Sequence, residues 1–171
     1  KIEAFFKPFK HPGIWFYEKE QRIEKYPAAE EIPSSLNWDL WCGPSEKKPF
    51  NSLYHPQTWR AFYLYGCGIF GDWGAHILDF VHDYLELGLP TRVEKLEMLD
   101  HSQIIFPRLS KLSMRFPERG KHLPSVDLTW TDGYGVKPVV TEQYWDKQED
   151  GSLKEPNLDA IGSTLLHRKD G

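Results

Sequence analysis

Two cysteines in 171 residues, Cys42 and Cys67, are too few for a disulfide scaffold, so a stable fold must rest on an apolar core. They could pair in an oxidising compartment, but small unpaired apolar residues are the simpler reading. No run of about 20 apolar residues offers a membrane span, and no signal peptide opens the chain. The compartment, cytoplasm or periplasm, stays open. Lys and Arg number 21 against 25 Asp and Glu, a formal charge of −4, and the basic residues are scattered. That is not the footprint of a protein that binds nucleic acid or an anionic membrane. Repeats and low-complexity tracts are also missing. What is present, 40% hydrophobic and 15% aromatic residues, is a globular composition sufficient for one domain over residues 1–171.

The chain is organised around Gly66–Tyr84, GCGIFGDWGAHILDFVHDY. Three glycines, Gly66, Gly68 and Gly71, permit a sharp turn, after which a helix is expected to open at Asp72 with an acid at its positive end. At about 100° per residue, Asp72, His76, Asp79 and Asp83 fall on one border, beside an apolar stripe of Trp73, Ile77, Phe80, Val81 and Tyr84. Three chemistries fit that border. The carboxylates are dipole partners on a solvated face; or Asp72 orients His76 as a general acid–base; or Asp and His at i, i+4 share a metal, although no glutamate or cysteine completes a ligand set. The glycines also spell G-x-G-x-x-G after the apolar run Ala61–Tyr65, yet Asp72 would repel a pyrophosphate there and no further βα unit follows Leu87. The dinucleotide motif is therefore read as a decoy.

Elsewhere the pattern is one of strands and loops. Lys1–Phe9 reads as a strand that starts without any turn before it, as though the chain were cut, and His11-Pro12-Gly13 with Glu18–Glu31 as a surface excursion. Between Ser34 and Pro56, Trp38, Trp41, Tyr54 and His55 lie amid three prolines. This is an aromatic loop with short helical turns, either packed filler or one wall of a pocket. Arg60, next to Trp59, either clamps a hydroxylated or anionic substrate by its planar fork or pairs with a nearby acid. Gly88-Leu89-Pro90 stops the helix, and Thr91–Leu99 is a strand. Lys111–Phe116 and Val126–Thr131 alternate polar and apolar, as antiparallel partners do. Asp132-Gly133 signals a tight turn, Val136–Tyr144 a further strand, Asp146–Pro156 a polar flexible stretch, and Ile161–His167 a last strand that also looks cut. The sum is an α+β fold: an open-faced, mainly antiparallel sheet of at least five strands with helices on one face.

Three motifs, NWDLWCGP at Asn37–Pro44, YHPQTWR at Tyr54–Arg60 and GDWGAH at Gly71–His76, resemble the Gfo/Idh/MocA family of NAD(P)-dependent oxidoreductases. The resemblance resumes at Phe116–Gly120 (FPERG) and Leu128–Gly133 (LTWTDG). It implies the second, substrate-binding domain of a two-domain dehydrogenase, with the nucleotide-binding Rossmann domain and the catalytic lysine of the family's E-K-P motif lying elsewhere. The family's D-x-x-x-H pair maps onto Asp72 and His76 as catalytic residues, and family position makes Arg60, Trp59, Trp38 and Tyr54 the substrate-binding wall. Also implied are a sugar, cyclitol or related polyol as substrate and NAD or NADP held by the missing domain. No cofactor or metal is expected in this chain, and the chain alone is expected to be inactive. Homo-oligomers would form through the open sheet face, which exposed aromatics would suit. A carbohydrate-binding or oligomerisation module, with Trp38, Trp41 and Trp59 as sugar platforms, is the reading from another class, and a nicotinamide-dependent glycosidase a third.

Overall fold

The computed structural model describes residues 1–6, 23–56, 58–133, 142, 145–154 and 162–166. In chain order these form β1 (Ile2–Phe6), α1 (Trp38–Cys42), a 3-10 turn (Thr58–Ala61), α2 (Gly68–Tyr84), β2 (Arg92–Leu99), β3 (Leu109–Phe116), β4 (Val126–Gly133), β5 (Asp146–Lys147), β6 (Leu153–Lys154) and β7 (Gly162–Leu166). The expected strand at Val136–Tyr144 and the excursion before Ile23 lie outside the described residues. The main sheet has the order β2-β3-β4-β1-β7. Every pairing in it is antiparallel except β1 with β4. The fold is α+β.

One sheet face is apolar because the pleat alternates: Met114, Phe116, Leu128 and Trp130 point one way together with Ile2 and Ala4. Against this face lies α2, which also contacts β1, β7 and the 3-10 turn. Its buried side is carried by Ile69, Val81 and Gly74, with Trp73, Ile77, Leu78 and Leu85 packed partly beside them. The expected stripe was too wide. Phe80 is 51% and Tyr84 81% exposed, because the meridian that meets the sheet runs through Ile77, Val81 and Leu85. Phe80 stands about 100° round from Val81, and Tyr84 ends the helix.

Three further local expectations are corrected. The helix opens at Gly68, not at Asp72: Gly68 has φ +67°, and a Cβ there would lie 2.7 Å from the Phe106 ring. The break in backbone direction thus falls at Gly68, Gly71 continues the helix, and Asp72 sits in the second turn with no capping duty. Asp132-Gly133 is not a turn but the end of β4, paired with Ser110 and Leu109. Asp146–Pro156 is not simply flexible, since β5 and β6 make a hairpin in which Gly151 takes φ +83° and Asp150 accepts hydrogen bonds from the Ser152 amide and hydroxyl.

The sheet face away from α2 carries Lys111, Ser113 and Arg115 from β3 and Asp127, Thr129 and Thr131 from β4. Arg115 and Asp127 are ion-paired there at 2.5 Å. Leu109 and its β2 partner Leu99 lie on the same face at its other end.

Asp132 is a buried carboxyl, accepting hydrogen bonds from the Ser110 hydroxyl at 2.6 Å and the Trp130 indole at 2.5 Å. Burial pushes its pKa up, partly offset by those donors. An acid raised in the folded state holds its proton where the unfolded chain has lost it. Stability should therefore fall as pH rises from about 4, the unfolded carboxyl value, to the folded pKa, and level off above it. Urea unfolding at a series of pH values should show this slope, and D132N should flatten it. Trp130→Ala should cost about 3–5 kcal/mol, against about 0.5 kcal/mol or less for Tyr84→Ala, as read from denaturation midpoints.

Candidate active site

A second core lies beside the sheet. Trp38, Cys42, Phe50, Tyr54, Phe62, Ile104 and Ile105 are buried in it, with Tyr26, Trp41 and Tyr65 packed against them. The prolines keep this stretch out of a long helix, so α1 is short: Asn37 caps it through its side chain to the Leu40 amide, and Gly43 ends it at φ +55°. Trp38 is the hub, stacked on Trp41 at 4.6 Å and Tyr54 at 5.8 Å, while its indole N–H donates to the Lys48 carbonyl.

These positions settle what the aromatic residues can touch. Trp38 is 3% exposed and Tyr54 is fully buried. Both lie inside this second core, among its other aromatic rings. The Tyr54 hydroxyl has no hydrogen-bond partner among the described residues, and burial pushes its phenol well above the ordinary value. The neighbouring Tyr65 is pushed up to about 12 by the same desolvation, and the Cys42 thiol is raised too. Both Cys42 and Cys67 are free thiols.

Trp59, Arg60 and Asp72 do come together. The Arg60 guanidinium lies over the Trp59 ring, 4.5 Å from its centroid, and its Nε donates to Asp72 Oδ2 at 2.9 Å. The pair is half-buried, with the two side chains 32% and 31% exposed. Trp59 is itself pinned, its indole donating to the Pro56 carbonyl at 3.1 Å. Of the two fates open to Arg60 in the sequence, pairing with a nearby acid is the one the structure shows, and the acid is Asp72.

His76, one turn beyond Asp72 and about 6 Å along the helix axis, is exposed. Its ring meets the edge of Trp73 at 5.7 Å. The Asp72–His76 hydrogen bond suggested by the i, i+4 spacing is not formed, because the Asp72 carboxylate is turned to Arg60. Asp79 and Asp83 are exposed further along the helix. Among the described residues no three His, Cys, Asp or Glu side chains cluster as a metal site.

The glycine run is filled by the protein's own atoms. A Cβ on Gly66 would lie 2.4 Å from the Arg60 carbonyl oxygen, one on Gly68 against Phe106 and one on Gly71 2.6 Å from the Cys67 Cβ. The residues before it form a 3-10 turn and loop, not a strand. This run does not fit a dinucleotide pyrophosphate, so the glycines serve close packing. Gly66 is the member that matters to the site, and Trp73 the neighbour that sequence reasoning assigned only to packing. In the sequence Gly66 had only a share in the sharp turn, although it lies outside the helix.

Over residues 15–103 the chain matches the Gfo/Idh/MocA oxidoreductase family model described as the C-terminal alpha/beta domain. The chain belongs to this family. The matched span holds the Trp59–Arg60–Asp72 cluster and His76 together, and ends before the sheet strands β3 and β4. No curated protein matches the chain. Membership makes it a C-terminal domain of an oxidoreductase. No helix among its described residues is long and apolar enough to cross a membrane.

If Gly66 exists to let the backbone of Arg60 approach, Gly66→Ala should displace the guanidinium as well as destabilise the fold. The expected cost is about 2–4 kcal/mol, in the range of a buried steric clash. Quenching of Trp59 fluorescence by its cation neighbour should change in the same variant. An unaltered melt would show that the approach is not needed.

Proposed function

We propose that this chain is the substrate-binding and catalytic domain of an NAD(P)-dependent oxidoreductase acting on a hydroxyl-bearing carbon of a sugar, cyclitol or related polyol. The nucleotide belongs on a separate nucleotide-binding domain, since the glycine run here has no room for it. Carrying this reading is the edge of α2, where Asp72, paired with an arginine that lies over a tryptophan, stands one turn from an exposed histidine. His76 accepts or returns the hydroxyl proton, a task that requires access to the reacting group. Arg60 and Asp72 hold neighbouring hydroxyls, and the buried stripe of α2 keeps their spacing fixed. Pairing of two copies through the open sheet face belongs to the same reading; that face would mate by hydrogen bonds and ion pairs more than by apolar contact.

The tryptophan-platform reading loses its supports. Trp38 is buried, Trp41 is stacked against it, and one face of Trp59 is covered by Arg60.

His76 separates catalysis from structure. In the complete enzyme, His76→Ala should lower kcat by about 10²–10⁴, the range for a lost general acid–base. Because the side chain is exposed, the melting temperature should stay within a few degrees. A large fall in melting temperature with normal kcat would end the catalytic assignment.

A further inference from the structure

Resting on the reading of His76 as the group that moves the proton, we propose that Trp73 is a positioning residue that holds the His76 imidazole in one orientation. The device commonly used for this, a carboxylate bonded to the ring, is not in place, because Asp72 is turned to Arg60. Side chains on a helix lean toward its N-terminus, so His76 leans over the turn that carries Asp72 and Trp73. With Asp72 engaged, the Trp73 indole is what the imidazole meets. The ring centroids are 5.7 Å apart and the planes 63° from parallel, the edge-to-face arrangement that aromatic pairs favour. Among the described residues no hydrogen bond reaches the His76 ring, so neither nitrogen is spent before a substrate arrives.

Trp73 can hold the ring because it is itself held. Its indole is half-buried and packed against the core that the sheet and the buried side of α2 form. An exposed histidine left alone exchanges among staggered χ1 wells within nanoseconds, and only part of that population faces a substrate. An aromatic contact of this kind favours one well by about two- to tenfold. What is gained is orientation at the moment of proton transfer, since the role of Trp73 runs through His76. Loss of the indole should therefore appear in kcat and leave KM nearly unchanged.

The test joins nuclear magnetic resonance of this chain with kinetics of the complete enzyme, on W73L, W73F, H76A and the double variant of W73L with H76A. In the unsubstituted chain the His76 Hα–Hβ couplings should be those of a single χ1 rotamer, and the indole should displace the His76 ring protons from their random-coil positions. W73L keeps an apolar side chain but no ring, so there the couplings should average and the displacement should vanish. In W73L kcat should fall by about tenfold with KM within about twofold, the size that the rotamer bias allows. W73F, which restores a ring, should recover most of that loss. In the H76A background W73L should cost kcat nothing further, because the two residues act as one unit. Thermal melts show which variants are folded; if W73L is not, the couplings of the unsubstituted chain decide the matter. Averaged couplings in the unsubstituted chain, unchanged couplings in W73L, or an equal loss of kcat from W73L with and without His76 would overturn the proposal. Normal kcat in H76A would remove the catalytic reading, and the couplings would then still decide whether Trp73 orients the ring.

Discussion

Adjacent residues Ala61 and Phe62 belong to different cores, and the rest of the structure depends on that division. Ala61 packs with the sheet and α2, and Phe62 with the aromatic group around Trp38. The segment between them is tied to the loop after β2 by three interactions: the Phe106 amide donates to Ala61, the Tyr63 amide donates to Ile104, and Phe62 bridges Ile105. The two apolar clusters thus meet at this short backbone stretch. Arg60 stands at its start. A side chain placed there inherits rigidity from both cores, which no residue on a free loop could have.

That junction explains why the glycines lie where they do. The chain must leave Phe62, turn and enter α2 within a few residues, passing close enough to Arg60 that Gly66 admits no side chain and turning at Gly68 in a left-handed conformation beneath Phe106. What looks like a phosphate cradle in sequence is a tight re-entry into a helix. Both uses need glycine for the same reason, close approach of backbone, so the motif alone does not distinguish them. The neighbour differs: a pyrophosphate in one case and an arginine backbone in the other.

The sheet was legible in the sequence because strand signals are local: alternation in β3 and β4 names their own inward residues, and β1 showed in its aromatic and β-favouring composition. The pairing of Arg60 with Asp72 was legible only as one of two options, since their separation of 12 positions crosses a turn whose geometry no periodicity encodes. The burial of Trp38 and Tyr54 was not legible, because burial of an aromatic in a proline-rich loop depends on what lies beneath it, and that is a second core contributed by Phe62, Ile104 and Ile105. Asp132 was missed because the pair Asp-Gly signals a turn wherever the carboxylate can reach solvent. Here the Ser110 hydroxyl and Trp130 indole replace water, and the strand runs on.

The two carboxylates Asp132 and Asp72, one bonded to Trp130 and the other to Arg60, show how one chain sets the same side chain in opposite surroundings. Asp132 is buried with neutral donors, so its charge is disfavoured and it serves the sheet. Asp72 is one-third exposed beside a guanidinium, so its charge has a partner and water has access. Only the second arrangement can exchange a hydrogen bond with an arriving ligand without first uncovering a buried ion. The same helix that buries Val81 and Ile77 against the sheet presents Asp72 and His76 at its margin. A shift of its packing by one residue would turn that margin by about 100°, carrying Asp72 away from Arg60. Packing of the apolar stripe thus fixes where the polar one faces, and the exposed ring of Phe80 marks where the buried side ends.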